Sequence, residues 1–221
     1  MENPILELGS SAAGGADTIH CLAIVGQIEG HQMLSSQTTT TKYEHVLPML
    51  AAIEESPEIH GLLILLNTAG GDVEAGLAIA ELIAGMAKPT VSLVLGGGHS
   101  IGVPLAVAAK KCFIAPTASM TLHPVRMNGT VLGVPQVSSY FGRIEESIVD
   151  FITANSRIDP ATLRQLMQRN GQLMGEAGSV VYGAEAVELG LCDSLGSLRE
   201  ALSCLHAMIR ESRQAEGGGQ V

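Results

Sequence analysis

The 221-residue sequence is poor in charged side chains. Asp, Glu, Lys and Arg make up 15% of the residues, against about 25% in an average soluble protein, while apolar residues make up 46%. We therefore expect part of the surface to be removed from water by self-association, as in a homo-oligomer. The 12 basic residues are outnumbered by 22 acidic ones, and the net charge of -10 disfavours nucleic acid or an anionic membrane surface as a partner.

Motifs for metals, disulfides and nucleotides are also missing. None of the four cysteines forms a C-x-x-C pair, and the seven histidines include no H-E-x-x-H, so we expect reduced cysteines and no metal site. The absence of G-x-G-x-x-G and G-x-x-x-x-G-K-[ST] disfavours a nucleotide, and no other cofactor is expected. The N-terminus has no long apolar region, which predicts no secretory signal and a cytoplasmic location.

The most informative stretch runs from Thr90 to Ala109, TVSLVLGGGHSIGVPLAVAA. It has no charged residue, as a membrane span would, but four glycines and a proline favour a buried strand, a sharp turn and an apolar helix. Ser100 stands where the helix begins. Such a turn exposes a serine hydroxyl, and the amides at the helix start can hold negative charge on an attacked carbonyl, although many glycine-rich turns are structural or bind phosphate.

The same order of strand, glycine turn and helix occurs just before this stretch. The apolar run 59–66 leads into NTAGGDV and then a helix, and further short strands are expected at 20–28, 111–115, 119–123 and 191–193. This alternation predicts an α/β fold of stacked βαβ units with a largely parallel sheet. Functional groups then collect at the carboxyl ends of the strands, where Gly70, Gly71, Ser100 and His123 fall.

The remaining segments fit one domain. Residues 19–213 are expected to form it, with flexible ends at 1–18 and 214–221. Thr41 and Glu44 have the spacing of a capping box at the start of a helix that ends before Pro57. Apolar residues at helical spacing in 138–154 predict a helix that leaves the sheet and contacts a neighbouring subunit, and further helices are expected at 160–169, 184–189 and 195–213.

A serine nucleophile needs a base, and His123 is the stronger candidate. It ends a strand 23 residues after Ser100, so it can face the serine across the sheet edge. His99 is the competing base, but residues adjacent in sequence leave a tight turn in diverging directions.

Several ordered motifs together resemble the proteolytic subunit of the Clp protease, ClpP, and within that family the translocation-enhancing branch called TepA. They are NTAGGDVEAG, KPTVSLVLGGGHSIGVP, MTLHPVR and AEAVELGLCD, and the similarity spans about 24–198. The resemblance implies the ClpP/crotonase fold, with a protruding helical handle at about 136–156 that joins stacked rings. It also implies a serine endopeptidase in which Ser100 is the nucleophile, His123 is the base, and the amides of Gly71 and Ile101 form the oxyanion hole.

The resemblance leaves the acid of the triad open. The position that matches the catalytic aspartate of ClpP is Gly178, and the TepA branch implies Glu176 instead. Asp193 is a poorer candidate because its family counterpart closes a strand. The segment 125–128 also lacks the small glycine-rich run that ClpP has there, so the substrate cleft and the docking of an ATPase can differ.

The function expected from these residues is hydrolysis of extended or unfolded polypeptides by a homo-oligomeric ring, with a link to protein secretion. The substrate is expected to pair as an added strand with Gly70, Asp72 and Val73 on one side and 128–132 on the other. One alternative is an acyl-CoA hydratase or isomerase on the related crotonase fold. The other is a non-catalytic scaffold that keeps the fold and the ring.

Overall fold

The computed structural model describes residues 10–13, 17–125, 134–169 and 177–217, and they form an α/β fold. In chain order the elements are β1 (Ser10–Ala13), β2 (Ile19–Glu29), β3 (Thr40–Lys42), α1 (Tyr43–Glu55), β4 (Gly61–Gly71), α2 (Val73–Gly85), β5 (Thr90–Gly98), α3 (Gly102–Val107), β6 (Lys111–Ile114), β7 (Ser119–Leu122), α4 (Val134–Ala154), α5 (Pro160–Gln168), β8 (Ser179–Tyr182), α6 (Gly183–Glu188), β9 (Ser194–Leu195) and α7 (Leu198–Gly217).

The main sheet has the strand order β1-β2-β4-β5-β6-β9. Its pairs from β2 to β9 are parallel, and β1 joins the edge of β2 in the antiparallel direction. A short β7–β8 antiparallel pair branches from β5, to which β7 is joined through Gly97 and Ser119. The α/β class and the largely parallel sheet predicted from the sequence are confirmed.

Both faces of the main sheet are covered by helices, which explains why β4 and β5 are almost continuously apolar. Alternate side chains of each strand point to opposite faces. On one face Leu62, Ile64 and Leu66 join the cluster that includes α1 and α2 side chains. On the other face Leu63 packs with Val91 and Leu93 of β5, Phe113 of β6, and Leu205 and Ile209 of α7.

Several short elements differ from the sequence prediction. No strand was predicted before residue 20, but β1 lies there and pairs with β2. The last strand is β9 at Ser194–Leu195, whereas the prediction placed it at 191–193. The short strands β3 and β8 were not predicted. The predicted capping box at Thr41 was also wrong. α1 begins after Lys42 without a side-chain cap, because the Thr41 hydroxyl instead donates to the Val25 carbonyl at 2.9 Å.

The predicted handle corresponds to α4. Its last turns are anchored in the core by Val149, Phe151 and Ile152, whereas Tyr140 near its start is 51% exposed. The Tyr140 hydroxyl donates to Glu74 of α2 at 2.9 Å, so the helix contacts the main body at Tyr140 as well as through its last turns.

Candidate functional site

The turn between β5 and α3 holds Ser100 in a left-handed backbone conformation, with φ of +57°. A non-glycine residue with positive φ is uncommon, and such strain clusters at functional sites. The turn is held on both sides, because the Ser100 amide donates to the Thr121 carbonyl at 2.9 Å and the Val103 amide donates to the Ser100 carbonyl at 3.0 Å. This is the sharp strand-to-helix turn predicted for a nucleophile.

His123 directly follows β7, and its ring contacts the backbone of the next residue. Its Nδ1 lies 2.7 Å from the Pro124 carbonyl oxygen. A carbonyl oxygen only accepts, so Nδ1 donates, and in the neutral imidazole the lone pair is then on Nε2. This is the tautomer that a general base requires. In this conformation the side chains of Ser100 and His123 make no hydrogen bond to each other.

Ser100 and His123 line the same cavity, which has a volume of about 220 Å³. Apolar side chains from several elements form its wall. They are Val73 of α2, Val103 of α3, Leu122 of β7, Val125, Ile148 and Ile152 of α4, and Met167 of α5. Gln27 and Thr121 also line the cavity, which therefore offers both an apolar wall and polar groups beside the serine and the histidine.

The two amides predicted for the oxyanion hole belong to residues of this cavity, Gly71 and Ile101. Among the described residues no hydrogen bond partner is found for the Ile101 amide, which stands just before the first residue of α3. Gly71 has a φ of +152°, and a Cβ atom there would lie 2.3 Å from the Ile28 carbonyl oxygen. Only glycine fits at that position.

The residues predicted to bind substrate differ in their contacts. Val73 lines the cavity, and a Cβ atom at Gly70 would lie 2.7 Å from the Cβ of Ser100. Asp72 instead caps α2, because its carboxylate accepts from the Ala75 amide at 2.9 Å and its own amide donates to Ile28 at 3.0 Å. Glu176 and the segment 128–132 lie outside the described residues.

The alternative base and acid are engaged elsewhere. His99 does not line the cavity; its Nδ1 bonds the Thr121 hydroxyl at 2.8 Å, and burial lowers the pKa of its imidazole. Asp193 pairs with Lys111 at 3.1 Å and with Arg157 at 3.0 Å, and it accepts from the Cys112 amide at 2.8 Å. Its carboxylate therefore holds β6 to the segment before β9.

Sequence reasoning missed Thr68, a buried residue that connects both glycine turns. Its hydroxyl donates to the Gly26 carbonyl at 2.6 Å and accepts from the Gly70 amide at 3.0 Å. Its carbonyl accepts from the His99 amide at 3.1 Å. The only sequence signal was its place just before the glycine pair of β4.

Neither a metal cluster nor a membrane span was found in the part of the chain that the structure describes. Its His, Cys, Asp and Glu side chains form no group of three or more that could hold a metal ion. Among the same residues, no helix has the length and apolar character needed to cross a bilayer.

Comparison with known proteins shows similarity over most of the chain. The family model described as Clp protease matches residues 17–198. Translocation-enhancing protein TepA of Halalkalibacterium halodurans is 52% identical over 203 residues, which cover 92% of this chain and 79% of that protein. The ATP-dependent Clp protease proteolytic subunit of Streptococcus agalactiae is 28% identical over 106 residues, which cover 47% of this chain and 54% of that protein. Proteolytic subunit 1 of Chlamydia muridarum is 30% identical over 74 residues, covering 33% and 38% respectively.

Proposed function

The chain belongs to the Clp protease family, and we propose that it is a serine endopeptidase that uses Ser100, His123 and Glu176. The resemblance to this family and to TepA, predicted from the motifs, is confirmed. One observation carries the peptidase proposal. A serine on a strained turn and a histidine whose Nδ1 donates to a backbone carbonyl line one cavity, and the Ile101 amide follows the serine directly.

The proposed reaction is acyl transfer to serine followed by hydrolysis. His123 Nε2 takes the proton of the Ser100 hydroxyl as the serine oxygen attacks a peptide carbonyl, and the amides of Gly71 and Ile101 hold the oxyanion. His123 then protonates the leaving amine, and water, activated by the same imidazole, releases the acyl group. His123 or Ser100 must rotate first, because their side chains are not hydrogen-bonded in this conformation.

The proposed substrate is an extended polypeptide with an apolar residue before the cleaved bond. The wall formed by Val103, Ile148, Ile152 and Met167 supports this preference, since a charged side chain there would lose water without gaining a partner. The substrate backbone is proposed to pair with the edge at Gly70 to Val73.

A fluorophosphonate probe tests the proposal without knowledge of the natural substrate. We expect the probe to label the folded wild-type protein at Ser100, to leave Ser100→Ala unlabelled, and to react much more slowly with His123→Ala. A crotonase-type hydratase uses carboxylates and no serine nucleophile, so an unlabelled wild-type protein would contradict the peptidase proposal and favour that alternative or a non-catalytic scaffold.

Replacing Glu176 by alanine is expected to lower kcat/KM for a short peptide by about 10- to 100-fold. Loss of the triad carboxylate lowers kcat by about 10⁴-fold when the histidine then adopts the wrong tautomer. Here the Pro124 carbonyl already holds the Nδ1 proton, so we expect only the stabilisation of the imidazolium charge to be lost. Peptide hydrolysis by wild type and Glu176→Ala measures this loss. Equal rates would remove Glu176 from the proposed site, and a loss of 10⁴-fold would show that the carbonyl cannot orient the base.

The protein is proposed to act in the cytoplasm as a homo-oligomeric ring that assists protein secretion. The low charged fraction supports association, as do the exposed apolar side chains of Tyr182, Leu195 and Leu198 near the starts of α6 and α7. The secretion role follows the name of the TepA relative. Sedimentation equilibrium should give a multiple of the 22.9 kDa chain mass, and a monomer at micromolar concentration would contradict the ring.

A further inference from the structure

We propose that His99 is a positioning residue, whose hydrogen bond to Thr121 holds the nucleophile turn against the strand that carries His123. The catalytic part of this proposal rests on the proposed peptidase function. It assigns a role to an imidazole that lies beside the nucleophile in sequence but does not line the cavity.

Two hydrogen bonds join the nucleophile turn to Thr121. The His99 Nδ1 and the Thr121 Oγ1 are 2.8 Å apart, and the Ser100 amide lies 2.9 Å from the Thr121 carbonyl. Thr121 stands two residues before His123. Thr121 therefore contacts the nucleophile turn through both its side chain and its backbone, and the strand that contains Thr121 is followed directly by His123.

β7, which leads into His123, is placed in the fold by its pairing with β8 and by the buried side chains of Met120 and Leu122. In the described residues, β7 meets β5 in the sheet through the single pair of Gly97 and Ser119. The backbone bond from Ser100 to Thr121 is a second link between the nucleophile turn and β7, and the side-chain bond at His99 adds a third link close to the reacting groups. We infer that this bond sets the relative position of Ser100 and His123.

The position of the His99 ring favours this contact over proton transfer. It folds back over Gly97, where a Cβ atom would lie 2.5 Å from Nε2, so the glycine makes room for the imidazole. The other side of the turn is held independently, because the His99 amide donates to the Thr68 carbonyl at 3.1 Å. Losing the imidazole should therefore loosen the turn toward β7 without unfolding it.

Variants of the two partners test the proposal through kinetics. His99→Ala and Thr121→Val are each expected to lower kcat for a short peptide by about 10- to 100-fold, because misplacement of a reacting group by about 1 Å costs about 100-fold. Little change in KM is expected for His99→Ala, whose imidazole lies outside the cavity, whereas Thr121 lines it. The double variant should be no slower than either single variant. His99→Asn, whose amide reaches the place of Nδ1, should recover activity to within about threefold of wild type.

Gly97→Ala and His45→Ala complete the kinetic set. Gly97→Ala leaves both hydrogen-bonding groups in place but displaces the ring, so we expect it to behave like His99→Ala. His45→Ala removes an exposed imidazole of α1 and should leave kcat unchanged. A normal kcat in His99→Ala, or independent additive losses in the double variant, would overturn the positioning role.

Amide hydrogen exchange at Ser100 gives a readout that does not depend on peptidase activity. We expect exchange of the Ser100 amide to become at least about 10-fold faster in His99→Ala and Thr121→Val and to stay at the wild-type rate in His99→Asn, since this amide is bonded to Thr121. Unchanged exchange in all variants would refute the proposal. If the wild-type protein cleaves no peptide, the proposed function fails, and the exchange rates still decide whether His99 holds the turn.

Discussion

Ser100→Ala, His123→Ala and the double variant are each expected to lower kcat/KM for a short peptide by about 10⁴- to 10⁶-fold, and all three by the same factor. A nucleophile and its base act as one unit, so once either is gone the other contributes almost nothing. The activity that remains comes from the oxyanion donors and from binding, which these substitutions leave in place. Hydrolysis of a fluorogenic peptide with an apolar residue before the cleaved bond measures the losses.

A second serine on the same strand provides the matched control. Ser92 is buried in β5, where its hydroxyl donates to the Ala106 carbonyl at 2.6 Å. Ser92→Ala should cost about 1 kcal/mol of unfolding free energy and leave kcat/KM unchanged. If the losses in Ser100→Ala and His123→Ala multiply in the double variant, the two residues do not act on the same step and the proposed pair is wrong.

The sequence predicted the main sheet well because its signals are strong and local. Short apolar runs such as those of β4 and β5, each followed by a glycine turn and a helix, are typical of strands in a sheet that is covered on both faces. The short strands β3, β8 and β9 carry no comparable signal. Thr40–Lys42 is polar and forms a strand only because β2 offers it a partner edge.

The candidate site was predicted in part, and the limits have physical reasons. Ser100 and His123 end neighbouring elements, so topology alone brings them to one edge of the fold. The partner of His123 Nδ1 could not be predicted, because a backbone carbonyl has no sequence signature. The roles of Thr68 and Thr121 likewise depend on contacts between strands that are far apart in sequence.

Gly70→Ala is expected to lower kcat/KM by about 100- to 1,000-fold, although the substitution adds one methyl group outside the catalytic side chains. A Cβ atom at this position would lie 2.7 Å from the Cβ of Ser100 and 2.8 Å from the carbonyl oxygen of His99. The φ of +91° at Gly70 also strains any residue with a side chain. The nucleophile turn must move away from β4, which separates the serine from the Gly71 amide and from the base, and losing one oxyanion donor alone lowers kcat by a factor of this size.

Peptide hydrolysis, fluorophosphonate labelling and thermal unfolding distinguish this displacement from general destabilisation. We expect labelling of Gly70→Ala to slow by the same factor as hydrolysis, while its unfolding free energy falls by only about 1–3 kcal/mol, so that the protein remains folded at 25 °C. Gly85→Ala is the control, because a Cβ atom at that helical glycine would meet no neighbouring atom within 4 Å, and alanine should be tolerated there without loss of rate. A folded Gly70→Ala protein with wild-type labelling would show that the turn can shift without consequence, and the strained geometry at Ser100 would then not be the feature that activates it.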